Sequence, residues 1–104
     1  MHTTDTRNNC ICAYMGGPDY IRENYYSHLD DKEFKQIGPQ HMHFNSSWDW
    51  AIPCWKKIRF EMTPTMIIHA ISCIDDAAIE PLFELMSNVA IDWCKKNGID
   101  IENG

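Results

Sequence analysis

Positive charge is scarce in this sequence. Its 9 Lys and Arg stand against 15 Asp and Glu, for a formal net charge of −6. A sequence-independent grip on nucleic acid needs clustered Lys and Arg to displace counterions, so direct nucleic-acid binding is not expected. Long apolar runs are also missing, and none approaches the roughly 18–20 residues that a membrane span requires. The opening stretch, Met1 to Asn9, is polar and lacks the basic-then-apolar order of a signal peptide. The expected location is therefore a cytoplasm, away from membranes. The 5 cysteines are odd in number and come without an export signal, which favours free thiols over a disulfide framework. Internal repeats and low-complexity segments are absent as well.

What remains is enough for one domain. The chain has 104 residues, 44% of them hydrophobic, which excludes wholesale disorder and permits a modest core without disulfides or metal. The most organised stretch runs from Phe44 to Ile58 and holds three of the four tryptophans. Ser46 or Ser47 can cap a helix there, because a serine oxygen accepts from a first-turn N–H, and Asp49 suits the positive end of the dipole. Trp48, Ala51, Ile52, Trp55, Ile58 and Met62 then recur at steps of three and four, which predicts an amphipathic helix over 47–62. Pro53 interrupts it and predicts a kink or a 3₁₀-like first turn. Trp50 falls off the stripe, either packed under the preceding loop or exposed.

A second helix is expected over 77–96, capped by Asp75-Asp76, with Ile79, Leu82, Phe83, Met86, Val89, Ala90, Trp93 and Cys94 as its core stripe. Lys95 and Lys96 suit its C-terminal end, and Gly98 reads as the left-handed residue after it. Two apolar runs read as strands. Cys10 to Met15 has strand length and closes on the turn signal Gly16-Gly17-Pro18. Thr65 to Ile74 is rich in β-branched residues, although Ile67, Ile71 and Ile74 also fit a helical spacing. Residues 1–8 read as a flexible N-terminus, 19–40 as a long excursion with one short helix, and 41–45 as an extended approach to the central helix. The expected fold is α+β: a small antiparallel or mixed sheet of 2–4 strands packed on two amphipathic helices. Since an isolated strand pair is marginal, 41–45 or part of 19–40 adds a strand, or the sheet continues across a homodimer.

Few constellations suggest chemistry. Cys10-x-Cys12 with His41-x-His43 supplies two thiolates and two imidazoles, the ligand set of a closed zinc site. Against it, Cys-x-Cys in an apolar run is usually two buried small residues. Cys54 or Cys94 could pair with His28, His41 or His69, but neither has the electropositive, partly open setting of a reactive thiolate. Acid concentrates near the C-terminus, where Asp75 to Gly104 carries seven carboxylates against two lysines. Asp76, Glu80 and Glu84 form a row that could dock on a basic partner or simply stay solvated.

The wording Asn45-Ser-Ser-Trp-Asp-Trp-Ala-Ile-Pro-Cys-Trp-Lys-Lys-Ile58 resembles a helix found in small uncharacterised bacteriophage and prophage proteins, especially of Bacteroidetes. Those proteins typically show Ser-Trp-Asp-Trp, two apolar residues and Pro, here Ser47 to Pro53. Ala13-Tyr-Met-Gly16 is similar to a strand of that family ending in Met-Gly, and Ile79 to Trp93 to its aromatic-rich final helix. Cys54 and Trp55 depart from the small aliphatics usual there. The resemblance implies a phage-type origin and a shared fold and transfers no catalytic residue. It points to a non-catalytic accessory protein that binds a host protein inside the host cell, an inhibitor of host defence being one form. The alternatives are a zinc-stabilised domain using Cys10, Cys12, His41 and His43, and a ligand-binding or enzymatic domain with a pocket lined by Tyr14, Trp50 and the 19–40 loop.

Overall fold

Six α-helices and no strand make up the described residues of this chain. A computed structural model describes residues 2–38 and 41–99. The helices are α1 (Thr4–Met15), α2 (Pro18–Tyr25), α3 (Asp31–Phe34), α4 (Trp48–Ile58), α5 (Pro64–Asp75) and α6 (Ile79–Lys96), with a 3₁₀ turn at Arg59–Glu61. The expected α+β architecture is thereby overturned. α6 is the central element, in contact with α1, α4 and α5, while α1 also meets α2 and α4. No helix among the described residues is long and apolar enough to cross a membrane.

Both expected strands are interiors of helices. The Cys10–Met15 run belongs to α1, which starts in the polar stretch upstream. The Thr3 hydroxyl there accepts from the Thr6 N–H at 3.1 Å, and Asp5 sits in the first turn. Residues 4–8 are thus helical rather than frayed. The buried set of α1 includes Asn8, Ile11, Cys12 and Met15, spaced 3, 1 and 3 residues apart, so the helical period passes through a buried asparagine. The second run is α5. Thr63 caps it, its hydroxyl accepting from the Met66 N–H at 3.3 Å, and Pro64 takes the first-turn position where a missing N–H is harmless. Thr63-Pro64 therefore starts a helix besides ending one. Strand propensity of the isoleucines yields to packing, since Ala70 and Cys73 bury their side chains on the inner face of α5.

Residues 41–45, the third candidate strand, form a turn in which the Ser46 and Ser47 N–H groups donate to the His43 carbonyl at 3.2 and 2.9 Å. The turn drops Phe44 into the core, where it is fully buried. The 19–40 excursion holds two helices, α2 and α3. Asp30 caps α3, its Oδ1 accepting from the Glu33 N–H at 2.7 Å, and an Arg22–Asp31 ion pair ties the two helices together. Arg22 also lies 5.6 Å from the Phe34 ring centre.

In α4 the backbone cap is Ser47, without a side-chain bond from its hydroxyl. Pro53 stands inside the helix and cannot donate to the Asp49 carbonyl four residues back. The Tyr25 hydroxyl, from α2, donates to that carbonyl at 3.1 Å. The acceptor left over by the proline is thus satisfied by a tertiary contact. α6 begins at Ile79 with Ala78 as its cap, whereas Asp76 is the C-terminal cap of α5. Between them Ala77 takes φ 53°, a left-handed conformation, and the Ala78 N–H reaches back to the Cys73 carbonyl at 2.8 Å. At the other end of α6, Gly98 is left-handed as expected (φ 69°), and the Ile99 N–H donates to the Cys94 carbonyl at 2.9 Å.

Candidate interaction surface

The outer face of α6 offers a polar ridge between two depressions. Glu80, Glu84 and Asn88 succeed one another at steps of four residues and are all exposed. On one side a cleft of about 340 Å³ opens between α6, α1 and the turn before α4, lined by Thr4, Arg7, Asn45, Glu80, Phe83 and Glu84. On the other side a smaller groove of about 190 Å³ lies between α5 and α6, lined by His69, Pro81, Glu84, Leu85 and Asn88. Glu84 borders both. Asp76 is exposed in the turn that leads into α6, so the three acids of the expected row all face outward, although Asp76 is not on the helix itself.

One cation is fastened to this ridge. The Arg7 guanidinium donates through Nη1 to Ser87 Oγ at 2.6 Å and to Asn88 Oδ1 at 2.8 Å. Ser87 Oγ in turn donates to the Glu84 carbonyl at 3.0 Å. Beside it, the buried Asn8 amide donates through Nδ2 to Asn45 Oδ1 at 3.2 Å, while its own Oδ1 has no partner among the described residues. Sequence reasoning missed Arg7 because it assigned residues 1–8 to a frayed end. The available signal was Thr3 followed by Asp5, a helix start.

Tyr14 and Trp50, expected to line a binding pocket, are both buried against other aromatic rings. Trp50 is buried and stacked on Tyr25 at 3.7 Å between ring centres, with Phe44 and His43 edge-on at 5.1 and 5.4 Å. Of the two placements open to it, packing under the preceding loop is the one adopted. Tyr14 is buried edge-on against Trp93 at 5.4 Å, and Lys57 Nζ donates to the Tyr14 carbonyl at 2.9 Å while lying 4.9 Å from its ring centre. These contacts join α1 to α4 and α6.

The four zinc candidates are not brought together. In a helix, residues two apart point to opposite sides, and Cys10 and Cys12 sit on α1 and are buried, whereas His41 and His43 are exposed. Cys10 instead faces Cys94, whose thiol donates to the Cys10 carbonyl at 3.8 Å. Among the described residues, no three His, Cys, Asp or Glu converge on a metal-sized site.

All five cysteines are free and buried. Burial pushes the Cys10 thiol up to about 12, with the neighbouring Cys94 adding to the effect, and burial alone pushes Cys12 up to about 11. Burial likewise takes Cys54 to about 12 despite Lys57 nearby, and it raises Cys94. These are protonated core thiols, the opposite of an activated nucleophile. His69 and His28, the histidines considered as partners for them, are exposed.

Comparison with known proteins finds no matching family model, no matching curated protein and no matching solved structure.

Proposed function

We propose that this chain is a non-catalytic accessory protein of phage type that binds a basic segment of a host protein. The observation that carries the reading is the exposure of Glu80 and Glu84 on a ridge bordered by two depressions. A lysine or arginine of the partner reaches the carboxylates from solvent, and a neighbouring side chain enters either depression. A net charge of −6 adds long-range attraction to a basic partner. The resemblance of the Ser47–Pro53 stretch to phage proteins supports the host setting, and inhibition of a defence protein is one form the binding could take.

Charge reversal tests this directly. Host lysate passed over the immobilised chain should yield a partner that the Glu80→Lys/Glu84→Lys double variant no longer captures. Both residues are exposed, so the variant should retain its helical circular-dichroism spectrum. Capture should also weaken as salt rises, because exposed charges are screened. Equal capture by the folded variant would remove the acidic ridge as the contact.

A further inference from the structure

The cleft between α1, α6 and the turn before α4 holds charges of both signs that the chain does not pair with each other. Arg7 donates through Nη1, to the neutral oxygens of Ser87 and Asn88 and, at 3.4 Å, to the Glu84 carbonyl. Among the described residues its Nε and Nη2 have no hydrogen-bond partner, and no carboxylate forms an ion pair with it. Nε and Nη2 make up one edge of the guanidinium, and that edge matches the two oxygens of a carboxylate. Glu80 and Glu84 border the same cleft, exposed and likewise without a cationic partner among the described residues. Asn45 accepts from Asn8 through Oδ1, which leaves its Nδ2 as a further donor on this wall. Behind it, the buried Asn8 keeps Oδ1 without a partner, so the polar network here is not closed by the chain itself. Phe83 supplies the apolar part of the lining.

We propose that this cleft binds a small zwitterion, a free α-amino acid or a dipeptide. Its carboxylate sits on the open edge of Arg7 and on Asn45 Nδ2, and its ammonium on Glu84 or Glu80. Charge selects this class. An inorganic phosphate is drawn to Arg7 but repelled by two carboxylates, and a polyamine is drawn to the carboxylates but repelled by Arg7. A ligand carrying both charges on a short spacer meets neither penalty. Spacing bounds its length. The guanidinium reaches the Glu84 carbonyl, so Glu84 is the nearer acid, and Glu80 stands one helical turn away, about 5–6 Å. An α-amino acid spans the first separation and a dipeptide the second. The cleft volume of about 340 Å³ falls at the small end of the roughly 300–1,000 Å³ usual for ligand sites, and Phe83 offers the ligand side chain an apolar contact. Both acids are solvated, so binding is weak, with Kd about 0.1–1 mM. This site is independent of the host-binding reading, although the two share Glu80 and Glu84.

An NMR titration of the ¹⁵N-labelled chain tests this, with L-phenylalanine and L-alanyl-L-phenylalanine added to about 10 mM, well above the expected Kd. At least one of them should saturate, with the largest side-chain shifts at Arg7 Nε–H and the Asn45 amide. N-acetyl-L-phenylalanine lacks the ammonium and L-phenylalanine amide lacks the carboxylate, and each should bind at least about tenfold more weakly. Glu80→Gln/Glu84→Gln changes two exposed side chains, should keep the circular-dichroism spectrum and should weaken zwitterion binding at least about fivefold. Arg7→Gln should weaken it further. Since Arg7 also holds Ser87, the glutamine pair at 80 and 84 decides the matter if Arg7→Gln does not fold. No partner protein is present, so failure here and failure of host capture are observed separately. Absence of saturable binding by both zwitterions would overturn the proposal. So would equal binding by the amide, which would make the cleft a cation site only, or equal binding by the N-acetyl compound, which would leave Arg7 as a simple anion contact.

Discussion

α5 and α6 lie side by side, joined by the short turn at Asp76–Ala78, yet they use apolar residues in opposite ways. α6 sorts them: Leu82, Phe83, Met86, Val89, Ala90, Ile91 and Cys94 are buried, and Glu80, Glu84 and Asp92 face solvent. α5 has no charged residue before its last position and leaves Ile68 and Ile71 in solvent. The lesson is that apolarity measures how much a helix has to bury, whereas the alternation of apolar with charged positions tells which side is buried. α6 carries both kinds of information, and α5 carries only the first.

The sharpest way to break this comparison is to truncate one side chain on each helix. Met86→Ala removes a fully buried side chain from α6 and should cost about 2–5 kcal/mol in urea unfolding. Ile68→Ala on α5 should stay within about 0.5 kcal/mol of wild type. Comparable losses would mean that α5 is covered in solution.

Alkali probes the dry side of the bundle. Cys10, Cys12 and Cys54 hold their protons up to about 11–12 when folded, against 9.0 for an ordinary thiol. Above pH 9 the unfolded chain ionises first and binds fewer protons than the folded one. Stability is therefore at its full value below pH 9 and falls as pH climbs toward 12. The slope is at most about 1.4 kcal/mol per pH unit for each thiol. Urea midpoints measured from pH 8 to 11 should decline, and a flat profile would show that these thiols are wetter than their burial implies.

The Tyr25 hydroxyl provides a smaller test, placed on α4. Tyr25→Phe removes the donor to the Asp49 carbonyl and should cost about 1 kcal/mol. In a Pro53→Ala background the alanine N–H can bond Asp49 instead, so the same change should cost clearly less. A double-mutant cycle reads the difference, and purely additive losses would separate the hydroxyl from the proline. The smallest effect is expected where α5 meets α6. Ala77→Gly relieves a left-handed alanine, and after the entropy of the added glycine is offset it should stabilise by about 0.5–1 kcal/mol. A destabilised Ala77→Gly chain would indicate that the turn is held by the methyl group.

Much of the candidate surface could be read from the sequence, because Glu80 and Glu84 stood outside a clear stripe on a clear helix. Arg7 could not, since its role depends on Ser87 and Asn88, some 80 positions away, coming into reach. Trp50 was ambiguous for a related reason. Its place under the loop is made by Tyr25, Phe44 and His43, which come from two other segments. Tyr14 is likewise placed by Lys57 and Trp93, both distant from it in sequence.

Local sequence decided several events: helices over most of the expected 47–62 and 77–96, the left-handed Gly98, the α6 core stripe, and thiols left free. Each depends on residues within one or two turns of one another, so periodicity and capping chemistry suffice. The helical state of α1 and α5 was decided by tertiary structure. A six-residue apolar run such as Cys10–Met15, or a β-branched one such as Thr65–Ile74, suits either a strand or a helix. The choice fell to the neighbour available for burial. With α6 at the centre and no second strand to pair with among the described residues, backbone groups in those runs are satisfied by their own helices, while only their inward side chains, such as Ile11, Ala70 and Cys73, are buried.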